Sequence, residues 1–341
     1  MIQTLNVKEF TALPNAKFSF CRGLNVVIAE NGMGKSHLLK LLYTLEQVLS
    51  VGESRNKAEL SKYVGDKLVE NFRPESLGRL VRRRPGRAKA EVSIRHKGSA
   101  EALSFSFSTA AKKVTMAQMP ERLSVERPIF LPSRELATLC PWFVGLYDNF
   151  HIEFEGFWRD TCSLLSAPAK KGPRTAEMNQ LLTPLEEALG GTVSTDPVTG
   201  KLLLKSSEGN MEMALVAEGL RKIAMLVRLI STGAITAGVT LFWDEPEANL
   251  NPKYIRIIAR CIMDLASQGL QIFVASHSVF LIRELYLLQK SMEAAPEVRW
   301  MALSGADKPL EMESDLWQLE TFTAFDVEAD QNVRFLDAEN T

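Results

Sequence analysis

The segment that most constrains the fold runs from Val27 to Leu39 and reads VIAENGMGKSHLL. An apolar, strand-like run leads into a glycine-bearing turn, and the turn leads into a leucine-rich, helix-like stretch. The spacing A-x-x-x-x-G-K-S, which begins at Ala29, is that of a phosphate-binding loop (P-loop), with alanine where the first glycine is usual. The alternative is an ordinary glycine turn followed by a helix.

The residue types in this segment fit phosphate chemistry. Gly32 and Gly34 allow successive backbone N–H groups to converge on phosphate oxygens. The helix expected to begin at about Lys35 directs the positive end of its dipole at the same anion. Lys35 is therefore predicted to reach the β- and γ-phosphates of a nucleotide, and the Ser36 hydroxyl to bind Mg²⁺. In the alternative, Lys35 is a solvated residue at the start of the helix.

A second apolar run, from Ala237, closes on Asp244 and Glu245. Its nearly continuous hydrophobicity is typical of a central parallel strand that is covered on both faces. Asp244 is predicted to hold Mg²⁺ directly or through water, and Glu245 to act as general base on the attacking water. The alternative is that the two acids only cap the turn that follows.

A third strand-like run, Gln271 to Ala275, is followed by His277. The carboxyl ends of neighbouring parallel strands meet at one edge of an open α/β sheet, where ligands bind. We therefore predict that His277 senses the γ-phosphate and positions the water. The alternative is a histidine with a purely structural role.

The rest of the chain predicts a mixed α/β order. Short strands precede the P-loop, and residues 51–80 are expected to be polar and irregularly helical. Later segments are assigned as follows: strands at 90–94, 102–107, 113–116 and 128–131, helices over 136–189, a β-hairpin at 192–205, helices at 218–230, 252–267 and 280–288, and a strand at 298–303. Residues from Ser304 are expected to form a loop-rich acidic tail with a short helix. The dense aromatic residues between 142 and 158 are assigned to a helical core rather than to a base-stacking platform.

Charge, cysteine content and hydropathy limit the partners and the location expected for this protein. The formal net charge of −1 over 341 residues provides no overall attraction to nucleic acid or membrane, so a polyanion would need a local patch. The four cysteines are scattered, which favours reduced, mostly buried thiols and a cytoplasmic protein. The N-terminus does not have the pattern of a signal peptide, and no apolar run reaches membrane-spanning length.

A basic run between Arg79 and Lys89 is the candidate polyanion patch. Its predicted contacts to DNA or RNA phosphates are Arg82, Arg83, Arg84 and Arg87. A solvated basic turn, or an edge where a partner protein docks, explains the same residues equally well.

Taken together, the P-loop, the segment DEPEANLNP from Asp244 and the triplet around His277 resemble the heads of ABC-type ATPases. Within that class they are most similar to the RecF/SMC-like and OLD-like ATPases. The resemblance covers about residues 1–303. It implies an α/β fold: a P-loop NTPase head with an antiparallel β lobe, a parallel-sheet core and a helical insertion. The implied domains are 1–135 (P-loop and basic insertion), 136–190 (helical insertion), 191–303 (signature helix, Asp-Glu strand and His switch) and 304–341 (tail).

The resemblance also implies ATP and Mg²⁺ as cofactors, and a homodimer that holds two ATP molecules between its heads. The nucleotide contacts it implies are Glu30, Asn31, Gly32, Met33, Gly34, Lys35, Ser36 and His37 from one subunit, with Glu218 and Gly219 from the signature helix of the other. Ala217 stands where the family usually has serine, which removes one hydrogen bond. The family's glutamine-containing loop has no clear counterpart, although residues 132–135 occupy a plausible position without a glutamine.

Three functions fit this head. The first is an ATPase that works with nucleic acid and a separate effector, such as a nuclease or toxin, in DNA maintenance or antiphage defence. The second is the nucleotide-binding subunit of an ABC transporter. The third is a nuclease with an acidic cluster at 326–330, but about sixty residues after His277 are too few for the metal-dependent nuclease domain of OLD-type proteins.

Overall fold

The computed structural model describes residues 1–51, 56–86, 88–120, 125–150, 152–321 and 324–339. Its helices are α1 (Lys35–Ser50), α2 (Lys57–Phe72), α3 (Cys140–Phe150), α4 (Gly156–Ser166), α5 (Ala176–Leu189), α6 (Glu218–Thr232), α7 (Pro252–Ser267), α8 (Val279–Ser291) and α9 (Ala324–Glu339). Its strands are β1 (Ile2–Lys8), β2 (Ala16–Ser19), β3 (Leu24–Ile28), β4 (Lys89–His96), β5 (Leu103–Ser108), β6 (Thr115–Gln118), β7 (Ile129–Leu131), β8 (Thr192–Thr195), β9 (Leu202–Ser206), β10 (Gly209–Glu212), β11 (Thr240–Asp244), β12 (Gln271–Ser276), β13 (Val298–Ala302) and β14 (Glu311–Glu313).

The main sheet has the order β14-β13-β3-β12-β11-β7, and its neighbours are parallel except for the antiparallel edge strand β14. Its strands alternate between two hydrophobic cores. Val26 and Trp243 face one core, which α6, α7 and α8 cover, while Val27 and Phe242 face the other, which α1 covers. Because both faces are buried, these strands are apolar at nearly every position, as the sequence indicated.

The register of the main sheet brings three strand ends to one level. Ile28 of β3 pairs with Ser276 of β12, and Ala275 of β12 pairs with Asp244 of β11. Each of these strands is parallel to its neighbour, so all three carboxyl ends open at the same edge. The segments predicted to carry chemistry leave the sheet there.

Two smaller antiparallel sheets flank this core in the described residues. One has the order β2-β1-β4-β5-β6, and its inner face shares the core of α1 and α2. The other has the order β10-β9-β8. The predicted α/β architecture, with an antiparallel β lobe and a parallel core, is confirmed.

Two local predictions are wrong, and a third, the β-hairpin at 192–205, is confirmed but incomplete. Residues 57–72 form a regular helix, because Asn56 and Glu59 make a reciprocal capping box and an apolar stripe is buried. The expected hairpin gains β10 as a third strand where the sequence indicated only a turn. The tail contributes β14 to the main sheet and the 16-residue helix α9, rather than a short helix in loops.

The four cysteines lie buried as free thiols, and burial raises the pKa of Cys21 to about 12, in line with the sequence expectation. No helix among the described residues is both long and apolar enough to cross a membrane.

A buried polar cluster joins the P-loop helix to both neighbouring sheets. Glu46 of α1 contacts the His96 ring of β4, and it accepts a hydrogen bond of 3.1 Å from the Thr240 hydroxyl of β11. None of the three is more than 2 % exposed. A buried polar group without a partner is costly, so this cluster fixes the antiparallel lobe against the parallel core.

We predict that Glu46→Met and His96→Leu each lower the free energy of unfolding by about 2–4 kcal/mol, since each leaves the other group buried without its partner. The double variant is expected to lose clearly less than the sum of the two. Urea denaturation measures all three, with Arg95→Leu, on the exposed face of β4, as a control expected to change stability by less than about 0.5 kcal/mol. Strictly additive losses would show that the pair is not coupled.

Candidate functional site

The P-loop leaves the centre of the main sheet, between the ends of β3 and the start of α1. Gly32 (φ 82°) and Gly34 (φ 98°) both have left-handed backbone conformations that favour glycine. A Cβ on Gly34 would also lie 3.1 Å from the Leu13 side chain. The loop therefore has its turn because these two residues are glycines, and Leu13 closes on it from the β1–β2 turn.

The N-terminus of α1 is open to an anion. In the described part of the chain, α2, α5, α7 and α8 begin with a side-chain cap, whereas α1, α4 and α6 begin without one. The first N–H groups of α1, including the backbone N–H of His37, thus have no capping side chain and can bind phosphate oxygens. The His37 ring points elsewhere, because it packs 5.8 Å from the Phe72 ring.

Lys35 curls back onto the loop that precedes it. Its Nζ donates to the carbonyl oxygens of Ala29 at 2.6 Å and Glu30 at 3.1 Å, and the residue is 6 % exposed. Burial lowers its pKa, while the carboxylates of Glu245 and Asp244 oppose that shift. The ammonium therefore sits between backbone carbonyls and acidic side chains, and it can exchange the carbonyls for phosphate oxygens.

Asp244 and Ser36 form a pair of oxygen donors at the end of β11. Burial raises the pKa of Asp244, and a hydrogen bond from Ser36 partly offsets this. Asp244 Oδ1 is buried and has no hydrogen-bond partner among the described residues. A hydroxyl and an unpaired carboxylate oxygen suit a hard cation such as Mg²⁺, so the residues fit the expected metal. No group of three or more His, Cys, Asp or Glu residues in the described ranges is placed to hold a metal by itself.

Glu245 and His277 meet at the ends of adjacent strands. His277 Nδ1 lies 3.2 Å from Glu245 Oε1, and the His277 side chain is 51 % exposed. Glu245 adopts a left-handed backbone conformation (φ 47°), which is unusual for a residue with a Cβ, and its N–H donates to the Ala275 carbonyl at 2.9 Å. The turn aims its carboxylate at the imidazole, an arrangement that can hold a water for attack.

A second lysine lies beneath this pair. Lys222 of α6 is 3 % exposed, and its Nζ donates to the Glu245 carbonyl at 3.1 Å. Glu247, also buried, accepts a hydrogen bond of 2.6 Å from the Ser276 hydroxyl, and burial raises its pKa. Burial lowers the pKa of Lys222 to about 8, although the charges of Glu247 and Glu245 partly oppose this lowering.

The signature segment lies against the loop that follows Glu245. A Cβ on Gly219 would come within 2.5 Å of the Asn249 carbonyl oxygen, so only glycine allows this approach. Glu218 accepts a hydrogen bond of 2.9 Å from the Asn249 side chain. The N-terminus of α6 therefore contacts the loop that follows β11 in the same chain. Ala217 and Glu218, at this end of the helix, are exposed.

The structure brings the predicted Lys35, Ser36, Asp244, Glu245 and His277 together at one sheet edge. Glu30 and Asn31 are exposed, and a cavity of about 520 Å³ opens beside them, lined by Met33, His277, Lys308 and Val327 among others. Glu218 and Gly219 lie at the N-terminus of α6 and are not part of this group. Sequence reasoning did not assign Lys222 or Glu247 to this cluster, although Lys222 lies one turn after the signature glycine and Glu247 lies within the segment DEPEANLNP.

The basic run differs from its prediction. Arg82 is buried and donates to the backbone carbonyls of Thr11 and Leu13, so it is not available to phosphates. Arg84 pairs with Asp307 at 2.9 Å and with Glu9 at 3.4 Å. Arg83 is exposed, and Arg87 lies outside the described residues.

The ion pair between Arg221 and Glu135 connects the signature helix to the loop after β7. Arg221 donates to Glu135, in the loop that follows β7, at 3.0 Å, and also to the carbonyls of Val216 and Ala214. Residues 132–135, which occupy a plausible position for the family's glutamine loop but carry no glutamine, thus contact the signature helix through Glu135.

These features define a P-loop ATPase head whose fold is that of the ABC/SMC-like class. The family model described as "AAA domain, putative AbiEii toxin, Type IV TA system" matches residues 24–283, and the chain belongs to that family. The fold is also similar to two solved SMC heads. One, the "SmcHead bound to the C-winged helix domain of ScpA", is 13% identical, with a TM-score of 0.57 over 92% of this chain and 97% of that chain. The other is an SMC head with an extended coiled coil, "bound to the C-terminal domain of ScpA derived from Pyrococcus furiosus". It is 9% identical, with a TM-score of 0.53 over 100% of this chain and 99% of that chain.

We predict a pH signature for Lys222. Its folded pKa of about 8 is below the ordinary value of 10.5, so between these values the folded chain binds fewer protons than the unfolded chain. Stability must then rise with pH across this window. Relative to Lys222→Met, the wild type should gain unfolding free energy on the order of 3 kcal/mol from pH 8 to 10.5. Urea denaturation at several pH values tests this; parallel pH curves for the two proteins would contradict it.

Proposed function

We propose that this head binds and hydrolyses ATP with Mg²⁺, and that ATP binding closes two heads on each other while hydrolysis releases them. In the cell, such a switch would act with nucleic acid and a separate effector, for example a nuclease or toxin, in DNA maintenance or antiphage defence. The observation that carries the proposal is the convergence of Lys35, Asp244 and the Glu245–His277 pair at one sheet edge. The four-part division at residues 135, 190 and 303 belongs to this proposal.

Each side chain has a role that its geometry supports. The α1 N-terminus and the Lys35 ammonium bind the β- and γ-phosphates, and Lys35 gives up its carbonyl partners to do so. Ser36 and Asp244 would hold Mg²⁺, which neutralises phosphate charge when bound. Glu245 accepts the proton of a water that attacks the γ-phosphorus. The bond from the γ-phosphorus to the bridging oxygen breaks, and that oxygen leaves with ADP. His277, 3.2 Å from Glu245, orients that water beside the γ-phosphate.

Dimer closure would use the outward end of α6. Ala217 leaves the first N–H groups of this helix without a side-chain cap, and Ala217 and Glu218 are exposed. Free N–H groups at a helix N-terminus attract an anion, and here that anion would be the γ-phosphate held by the second copy. A serine at position 217 would cap the helix; alanine keeps these donors open at the cost of one hydrogen bond.

A separate effector is supported by what the structural neighbours bind. Both SMC heads are bound to a domain of ScpA, so heads of this fold carry partner proteins in those cases. The family description names a toxin and a toxin–antitoxin system, which favours defence as the setting for this chain.

We predict that Glu245→Gln binds ATP, hydrolyses it at least about 100-fold more slowly and accumulates as closed dimers, because the general base is lost while the phosphate contacts remain. Light scattering after size exclusion, with and without ATP, measures the dimer, and phosphate release measures turnover. Lys35→Ala, which loses the phosphate contact, is the matched control that should stay monomeric. Glu245→Gln chains that remain monomeric at saturating ATP while the wild type dimerises would contradict the proposal.

Nucleic-acid contact should depend on Arg83 rather than on Arg82. We predict that Arg83→Ala weakens binding to duplex DNA or RNA uniformly across sequences and reduces the salt slope of log K by about 1, as expected for one lost phosphate contact. Lys205→Ala, an exposed cation on the distant β9 strand, serves as control. Equal salt slopes for wild type and Arg83→Ala would remove this patch from the proposal and leave the ATPase untouched.

A further inference from the structure

The residue that connects the signature helix to the hydrolytic carboxylate is Lys222. Lysine is almost never fully buried without a partner, yet this one is 3 % exposed on the second turn of α6. Its ammonium donates to the Glu245 carbonyl at 3.1 Å. That bond joins two segments that are predicted to serve different ATP molecules in a closed dimer.

The backbone of Glu245 needs such a contact. A left-handed conformation (φ 47°) is strained for glutamate, so the surrounding contacts must hold it. The peptide groups on either side are both fastened, because the Glu245 N–H donates to Ala275 O at 2.9 Å and the Glu245 carbonyl accepts from Lys222. With both ends fixed, the carboxylate is placed 3.2 Å from His277.

The other end of the same loop is also held by α6. Asn249, again in a left-handed conformation (φ 62°), touches Gly219 with its carbonyl and donates to Glu218 with its side chain. The loop from 245 to 249 is therefore held at both ends by contacts with α6. A movement of α6 must shift the loop as a unit, and the carboxylate of Glu245 with it.

We propose that Lys222 is a positioning residue that links a phosphate contact at the N-terminus of α6 to the placement of Glu245 in the same chain. This inference rests on the function proposed above, and it specifies how the two ATP sites of a dimer influence each other. Phosphate bound at Gly219 by one site pulls on α6, and Lys222 carries that displacement to the carboxylate of the other site. Hydrolysis is then cooperative in ATP.

A purely structural role for Lys222 is the competing explanation. Glu247, Glu245, Glu218 and Asp244 surround the ammonium, and Glu247 Oε2 is buried without a hydrogen-bond partner in the described residues. Lys222 could serve only to offset these carboxylates. Such a role predicts a loss of stability and of nucleotide binding together, whereas a positioning role predicts a loss of turnover alone.

The test compares Lys222→Met, which keeps most of the side-chain length but removes the donor, with Lys222→Arg, which keeps a donor. A matched control is Arg228→Met on the same helix, since Arg228 is also buried and donates to backbone carbonyls, those of Leu165 and Ala167, away from the site. The measurements are kcat, KM for ATP, the Hill coefficient, and ATP-dependent dimerisation in the Glu245→Gln background.

We expect Lys222→Met to lower kcat about 10- to 100-fold, with KM within about twofold, dimerisation retained and a Hill coefficient near 1. Lys222→Arg should recover most of the turnover and the cooperativity. Arg228→Met should lower Tm while its folded fraction keeps the wild-type kcat. If Lys222→Met does not fold, Lys222→Gln, too short to reach Glu245, is expected to show the same pattern.

A Lys222→Met protein with wild-type kcat and cooperativity overturns this inference and leaves the ATPase proposal standing. Parallel loss of ATP binding, dimerisation and turnover, without rescue by arginine, also overturns it in favour of the structural role. A wild-type chain that binds no ATP overturns the proposed function first, and the inference with it.

Discussion

The parallel register of β3, β12 and β11 is the constraint on which the rest of this molecule depends. Close packing on both faces of the sheet fixes that register, because a slip by one residue would place side chains of the wrong size and shape in each core. With the register fixed, Ile28, Ser276 and Asp244 end at one edge, and the polar segments that follow them share one space. Segments more than 200 residues apart in sequence thus meet without any direct local signal.

Charge balance is the second element of the site. Asp244, Glu245 and Glu247 lie close to Lys35 and Lys222, with most of these groups withdrawn from water. Burial raises the pKa of Asp244 and Glu247 and lowers that of both lysines. The neighbouring charges of opposite sign partly offset these shifts. The triphosphate of the proposed function would add negative charge to this balance, and a divalent cation would offset that charge.

The sequence predicted the parts of the site whose chemistry lies at strand ends. The P-loop, the acid pair at 244–245 and His277 could be found because each follows an apolar run, and α7 was predicted at its observed bounds, Pro252–Ser267. Lys222 and Arg82 could not be assigned in this way, since a lysine or arginine within a helix or a basic run is usually solvated, and only tertiary packing buries it. The strand β10 was missed because four exposed residues carry no hydrophobic alternation. The helix α9 was underestimated for a similar reason, because its polar sequence gives a weak helical pattern.

The two edges of the main sheet limit pairing with other chains. Its outer strands, β7 and β14, are three residues each, shorter than any strand between them. The β14 edge presents Glu311 and Glu313 on either side of a methionine. Brief, charged margins give another chain few free backbone groups to pair with, so the apolar strands inside are guarded against edge-to-edge aggregation.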